Sequence, residues 1–223
     1  LAAYDAADGS RKWIYQRPMP ALSVRVTAAP VVVDKYVFSG FPGGKLIAVN
    51  LDNGAPMWEG TVALPKGATE LDRIADVSSV PVIDGRMICA VAFQGRVACF
   101  DLGNGNLMWA RDISSAAGLS IDSRYVYVSD DHGAVHALDK ASGASIWKQD
   151  KLFMRRLTAP LASGVLVAVA DAEGVVHLLS RDDGSFAARL STDGSAVVAP
   201  LQRLGNNLLV QTRSGGLFAI DAQ

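Results

Sequence analysis

Four segments of this chain place a glycine four residues ahead of a tryptophan: GSRKW (Gly9, Trp13), GAPMW (Gly54, Trp58), GNLMW (Gly105, Trp109) and GASIW (Gly143, Trp147). The chain has four tryptophans, so one repeated position accounts for all of them. A fifth segment, GSFAA, keeps the glycine at Gly184 and carries Ala188 in place of the ring. A residue type confined to one register of a repeat demands an equivalent environment in every copy, which few folds provide.

Upstream of each comes a Gly-led apolar strand closed by a polar residue: GKLIAVN, GRVACFD, GAVHALD, GVVHLLS and GLFAID. Their glycines (Gly44, Gly95, Gly133, Gly174, Gly216) stand 51, 38, 41 and 42 residues apart. Further upstream lies another strand (KYVFSG, RMICAVA, RYVYVSD, VLVAVAD, NLLVQT), often led in by Ala-Pro or Val-Pro at Pro30, Pro81, Pro160 and Pro200. One unit thus reads as four short antiparallel strands joined by Gly/Asn/Asp turns. Four strands in roughly 40–45 residues is the period of a β-propeller blade. Runs such as VLVAVA suit strands covered on both faces, and the tryptophan is expected in the seam between neighbouring blades.

The units run approximately over 26–62, 80–113, 119–150 and 157–192, with partial blades at 1–15 and 196–221, all in one propeller region. Four complete units and two fragments make a poor closed ring, so an incomplete arc of a larger propeller is expected. The opening LAAYDAADGSRKW reads as the middle of a unit, so the residues are expected to belong to a longer protein.

Half of the 223 residues are hydrophobic and 19% are charged, which argues against disorder. A formal net charge of −1 gives no electrostatic case for nucleic acid. No apolar run approaches the ~20 residues that span a bilayer, and no signal-type segment opens the chain. Cys89 and Cys99 sit on consecutive predicted strands; two small buried hydrophobes are the expected reading, with a disulfide as the alternative.

The chemistry-bearing residues follow the repeat. His136 and His177 occupy equivalent positions in GAVHAL and GVVHLL, while His132 stands apart. Asp5, Asp101, Asp139 and Asp221 recur at the end of the third strand, where a carboxylate accepts turn amides. A catalytic acid would be singular, and no convergent acid, base and electrophile appears. The expectation is no catalytic residues, no metal site and no cofactor.

The unit P-V-V…V-Y-V…G-x-L-x-A-L-D-x-x-x-G-x-x-x-W resembles the quinoprotein-like (PQQ-type) propeller repeat over essentially the whole chain. That family includes PQQ-dependent dehydrogenases, which hold their quinone with calcium, an Asp base and, in several, a disulfide between adjacent cysteines. The cysteines here are ten residues apart. That spacing departs from the enzymes' pattern and counts against them; a quinoprotein dehydrogenase fragment is the rival reading, and a propeller capturing unfolded barrel strands at exposed edges is another.

Two connections between blades are long: QRPMPALSVRVTAA, between Trp13 and Pro30, and the stretch containing TELDRIADV, between Trp58 and Pro81. Both cross from a fourth strand to the next first strand, so both emerge on one face, a common way to build a binding surface. LSVR and TELDRIADV are similar to loops of the lipoprotein scaffold family of the outer-membrane β-barrel assembly machinery. The resemblance implies an eight-bladed propeller on the periplasmic face of the outer membrane of a Gram-negative bacterium, with its lipid anchor outside this chain. It implies a non-enzymatic scaffold that binds the POTRA region of BamA and helps insert nascent outer-membrane proteins. The family's contact residues carry over to Leu22, Val24, Arg25 and Asp76, with internal bracing of the two loops by Arg25 or Arg73 on Asp72 or Asp76 as the alternative; a second family acid is replaced here by Ser78. Asp72 and Arg73 read as loop-organising, with Arg73 also a secondary partner-binding candidate. A third crossing, KLFMRRLTAP, adds Phe153, Arg155 and Arg156 as secondary candidates, with burial of Phe153 under the next blade as the alternative.

Overall fold

The structure, a computed structural model, describes residues 1–24 and 28–221. Among these there is no helix: all 21 strands lie in antiparallel sheets, as the period demands. Two compact units, Leu1–Ser114 and Ser115–Gln223, divide the chain.

The first unit opens with the hairpin β1 (Ala2–Tyr4) and β2 (Arg11–Ile14). A four-stranded meander follows: β3 (Val31–Val33), β4 (Tyr36–Phe41), β5 (Lys45–Asn50) and β6 (Pro56–Thr61). The next comprises β7 (Val82–Asp84), β8 (Met87–Val91), β9 (Val97–Asp101) and β10 (Leu107–Arg111). The second unit repeats the blade twice, as β11 (Gly118–Ile121), β12 (Tyr125–Ser129), β13 (Val135–Asp139) and β14 (Ser145–Gln149), then β15 (Leu161–Ser163), β16 (Leu166–Ala170), β17 (Val175–Ser180) and β18 (Phe186–Ser191). A three-stranded sheet of β19 (Gln202–Leu204), β20 (Asn207–Gln211) and β21 (Leu217–Asp221) completes it.

Second and third strands form the core: every residue of β8 and β12 is buried, as are the four central residues of β17. Apart from Ser129, His177 and Ser180 their side chains are apolar, as burial on both faces of a strand favours.

Three of the tryptophans, Trp13, Trp58 and Trp147, lean on the glycine of the following repeat. The indole N–H groups of Trp13, Trp58 and Trp147 donate to the carbonyls of Leu51, Leu102 and Arg181 at 2.7, 3.0 and 2.8 Å. A Cβ on Gly54, Gly105 or Gly184 would lie 2.5–2.6 Å from the ring carbons of Trp13, Trp58 or Trp147, and each of these glycines has φ near +70°. Glycine is therefore required twice over, by backbone conformation and by the ring against it.

The Trp strand is also bulged in the same place each time. Register slips between the partners of Trp13, Trp58, Trp109 and Trp147 and the next pair down, and again at Ala188. An extra residue just before the tryptophan re-aims the following side chain.

Cys89 and Cys99 are direct cross-strand partners and form a disulfide, with Cα atoms 4.1 Å apart. The reading as two reduced hydrophobes is thus corrected. Both are fully buried, so burial alone did not separate the two states.

Candidate functional site

The two long crossings of the first unit, residues 15–30 and 62–81, are bound to each other by one carboxylate. Asp76 accepts the Val24 amide on Oδ2 at 2.6 Å and the Gly43 amide on Oδ1 at 3.0 Å. Its own backbone pairs with Phe93, whose amide donates to the Asp76 carbonyl at 2.9 Å. Asp76 is only 2% exposed, and both oxygens serve the chain's own backbone, which is the internal bracing open to it beside a partner contact. Ser78 is buried as well, so that position presents no side chain to a partner.

The first crossing is anchored at its start. Arg17 reaches Glu59 at 3.4 Å and lies 5.9 Å from the Phe41 ring centroid, against which Tyr15 packs edge-on. Lys45, 2.9 Å from Glu59, is the main cause holding that carboxyl below its ordinary value. Between these anchors and Asp76 the chain leaves Met19 and Leu22 exposed, Leu22 by 43%, with Val24 half-buried beside them. Arg25 lies outside the described residues.

The second crossing organises itself locally. Thr69 and Asp72 exchange amide-to-side-chain bonds of 3.1 and 3.2 Å, and the Thr69 bonds lower the Asp72 carboxyl pKa. Arg73 donates to the Gly67 carbonyl at 3.1 Å and to Glu70 at 3.3 Å, so its guanidinium is engaged within its own loop. With its amide nitrogen turned inward, Gln94 meets the Leu71 and Ile74 carbonyls at 3.0 and 2.9 Å. Leu71 and Leu64 remain exposed.

The third crossing, in the second unit, divides its three candidates. Phe153 is 69% exposed and is not covered by the next blade. Arg155 is engaged internally, at 2.5 Å from Asp171 and 2.6 Å from Glu173. Arg156 is exposed and has no partner among the described residues.

Two of the three histidines are bonded to carboxylates of their own blades. His136 and His177 each set Nε2 2.8 Å from the carboxylate that ends the preceding strand, Asp130 and Asp171. Those carboxylates also accept the amides of the turn between, His132 and Ala134 for Asp130, Glu173 and Val175 for Asp171. Among the described residues no group of three or more His, Cys, Asp or Glu is placed to hold a metal.

A family profile described as outer membrane protein assembly factor BamB matches residues 1–149. The outer membrane protein assembly factor BamB of Bordetella pertussis is 48% identical over all of this chain, which spans 58% of that protein. The crystal structure of BamB from Moraxella catarrhalis superposes with a TM-score of 0.88 at 32% identity, covering 95% of this chain and 63% of that one. A quinohemoprotein alcohol dehydrogenase from Pseudomonas putida HK5 shares the fold alone, with a TM-score of 0.65 at 14% identity, over 94% of this chain and 42% of its own.

Proposed function

The chain belongs to the family of outer membrane protein assembly factor BamB, and from that premise we propose that it is a non-enzymatic scaffold of outer-membrane protein assembly, docking the POTRA region of BamA through the first crossing. The observation that carries the reading is the Asp76 clamp. The loop leaves Leu22 and Met19 exposed while its backbone is fixed at Val24 by a buried carboxylate 52 residues further along. Preorganising a loop in this way lowers the entropy lost on binding. In this reading Leu22, Val24 and Arg25 touch the partner, and Asp76 positions them. A working location at the periplasmic face of the outer membrane agrees with the Cys89–Cys99 disulfide, since such bonds persist in oxidising compartments.

The test is calorimetric titration of the chain with a purified POTRA fragment of BamA, beside the Leu22→Asp and Arg25→Ala variants. Each is expected to lose about 2 kcal/mol, roughly thirtyfold in Kd, with unchanged circular dichroism. Undiminished binding by both variants would move the interface elsewhere on the blades.

A further inference from the structure

The second unit carries a cleft of about 310 Å³ that the family reading does not use. Its walls are apolar, built from Leu157, Ala159, Val197 and Pro200, and it is lined by two arginines, Arg156 and Arg213. Both are exposed, and neither guanidinium has a hydrogen-bond or ion-pair partner among the described residues. No acid lines the cleft.

The acids close to it in sequence are already committed. Asp131 accepts the Ala116 amide at 2.8 Å, and Asp193 accepts Thr212 and Ser214 hydroxyls at 2.8 and 2.5 Å. Asp171 and Glu173 are taken by the neighbouring Arg155. Arg156 is thus left without a local counter-charge. Its backbone adopts φ +55°, in the left-handed region that a residue with a Cβ seldom adopts. Around it, the Arg155 amide donates to the Leu152 carbonyl, and the Ala172 amide to the Arg155 carbonyl, at 3.1 and 3.0 Å. Val198 stands 68% exposed at the rim.

We propose that this cleft is a docking site for an acidic polypeptide segment in extended conformation. Alternation in a strand sends every second side chain to the opposite face. A segment of alternating small apolar and acidic residues would set the apolar ones against Leu157 and Val197 and bring carboxylates to the forked donors of Arg156 and Arg213. The complementarity is local, because the chain as a whole has a net charge of −1 and exerts no general attraction on anions. The inference does not depend on how the first crossing is used.

The experiment is fluorescence anisotropy of a short labelled peptide of alternating glutamate and valine, against its lysine–valine counterpart, with the full chain. Saturable binding of the acidic peptide alone is expected. It should weaken at least tenfold in Arg156→Ala/Arg213→Ala and in Val198→Glu, and fall as salt is raised from about 50 to about 300 mM. All the substituted side chains are exposed, and unchanged near-ultraviolet circular dichroism would show that the variants are folded. Equal binding of both peptides, or binding indifferent to all three substitutions, would overturn the proposal. So would displacement of the peptide by inorganic phosphate at matched concentration, which would reduce the cleft to a simple anion subsite.

Discussion

At the scale of single residues, the decisive fact is where carboxylates spend their oxygens. Asp76 spends both on backbone amides, from Val24 and Gly43. Bonds to a charged acceptor are worth about 1.5–3 kcal/mol, so Asp76→Ala is expected to lose about 2–3 kcal/mol in urea unfolding and to weaken POTRA binding with it. Loss of stability without loss of binding would remove Asp76 from the positioning role. His177 gives a pH test. Burial is the main force pushing its pKa below the ordinary value, against the opposing bond from Asp171. The unfolded chain therefore takes up this proton below about pH 6.5, before the folded chain does. Stability falls as pH drops from there through the folded value, by at most about 1.4 kcal/mol per pH unit. His177→Gln should flatten that limb in unfolding curves taken between about pH 7.5 and pH 5. The sequence placed these residues on the right elements, yet it could not show that Asp76 faces inward, because its partners lie 33 and 52 residues away.

At the scale of the element, the blade is defined by its fourth strand. The bulge before Trp58 turns the indole toward Gly105 of the next repeat, and its N–H reaches the Leu102 carbonyl. Trp58→Phe keeps most of the ring and forfeits that bond, an expected cost of about 1 kcal/mol or more. Gly105→Ala meets the ring at 2.6 Å and φ at +71°, so it is expected to cost more than the ring substitution; the two midpoints in a thermal scan decide the order. Within the next sheet the disulfide joins β8 to β9 across ten residues of sequence. Closing so short a loop is worth about 2–3 kcal/mol in the chain-entropy account, so reduction should lower the melting temperature of the wild type and leave Cys89→Ala/Cys99→Ala unmoved. The glycine-to-tryptophan spacing was plain in the sequence, and the bulge was not. A one-residue register slip leaves no compositional mark, since the bulged positions are as different as Lys12, Met57 and Ile146.

At the scale of the whole molecule, the turns make a common response to acid. Asp5, Asp139 and Asp183, each closing or entering a turn, have carboxyls lowered chiefly by bonds from Ala7, Ser142 and Ser185. A lowered carboxyl contributes stability above its unfolded value of about 3.9, and that contribution is lost as pH falls through the folded value. Far-ultraviolet circular dichroism is therefore expected to hold above about pH 4 and to decay below it, after the shallower histidine limb. All-β class, blade period, seam tryptophans and long crossings were legible in the linear chain. A repeat must solve the same packing problem in every copy, and period, turn chemistry and apolar runs are local properties written many times over. The fates of single side chains came only with the folded molecule: the disulfide at Cys89, the inward turn of Asp76, the capture of Arg155 and the freedom of Arg156. Each depends on which distant backbone or charge arrives within about 3 Å, and no local pattern encodes that distance.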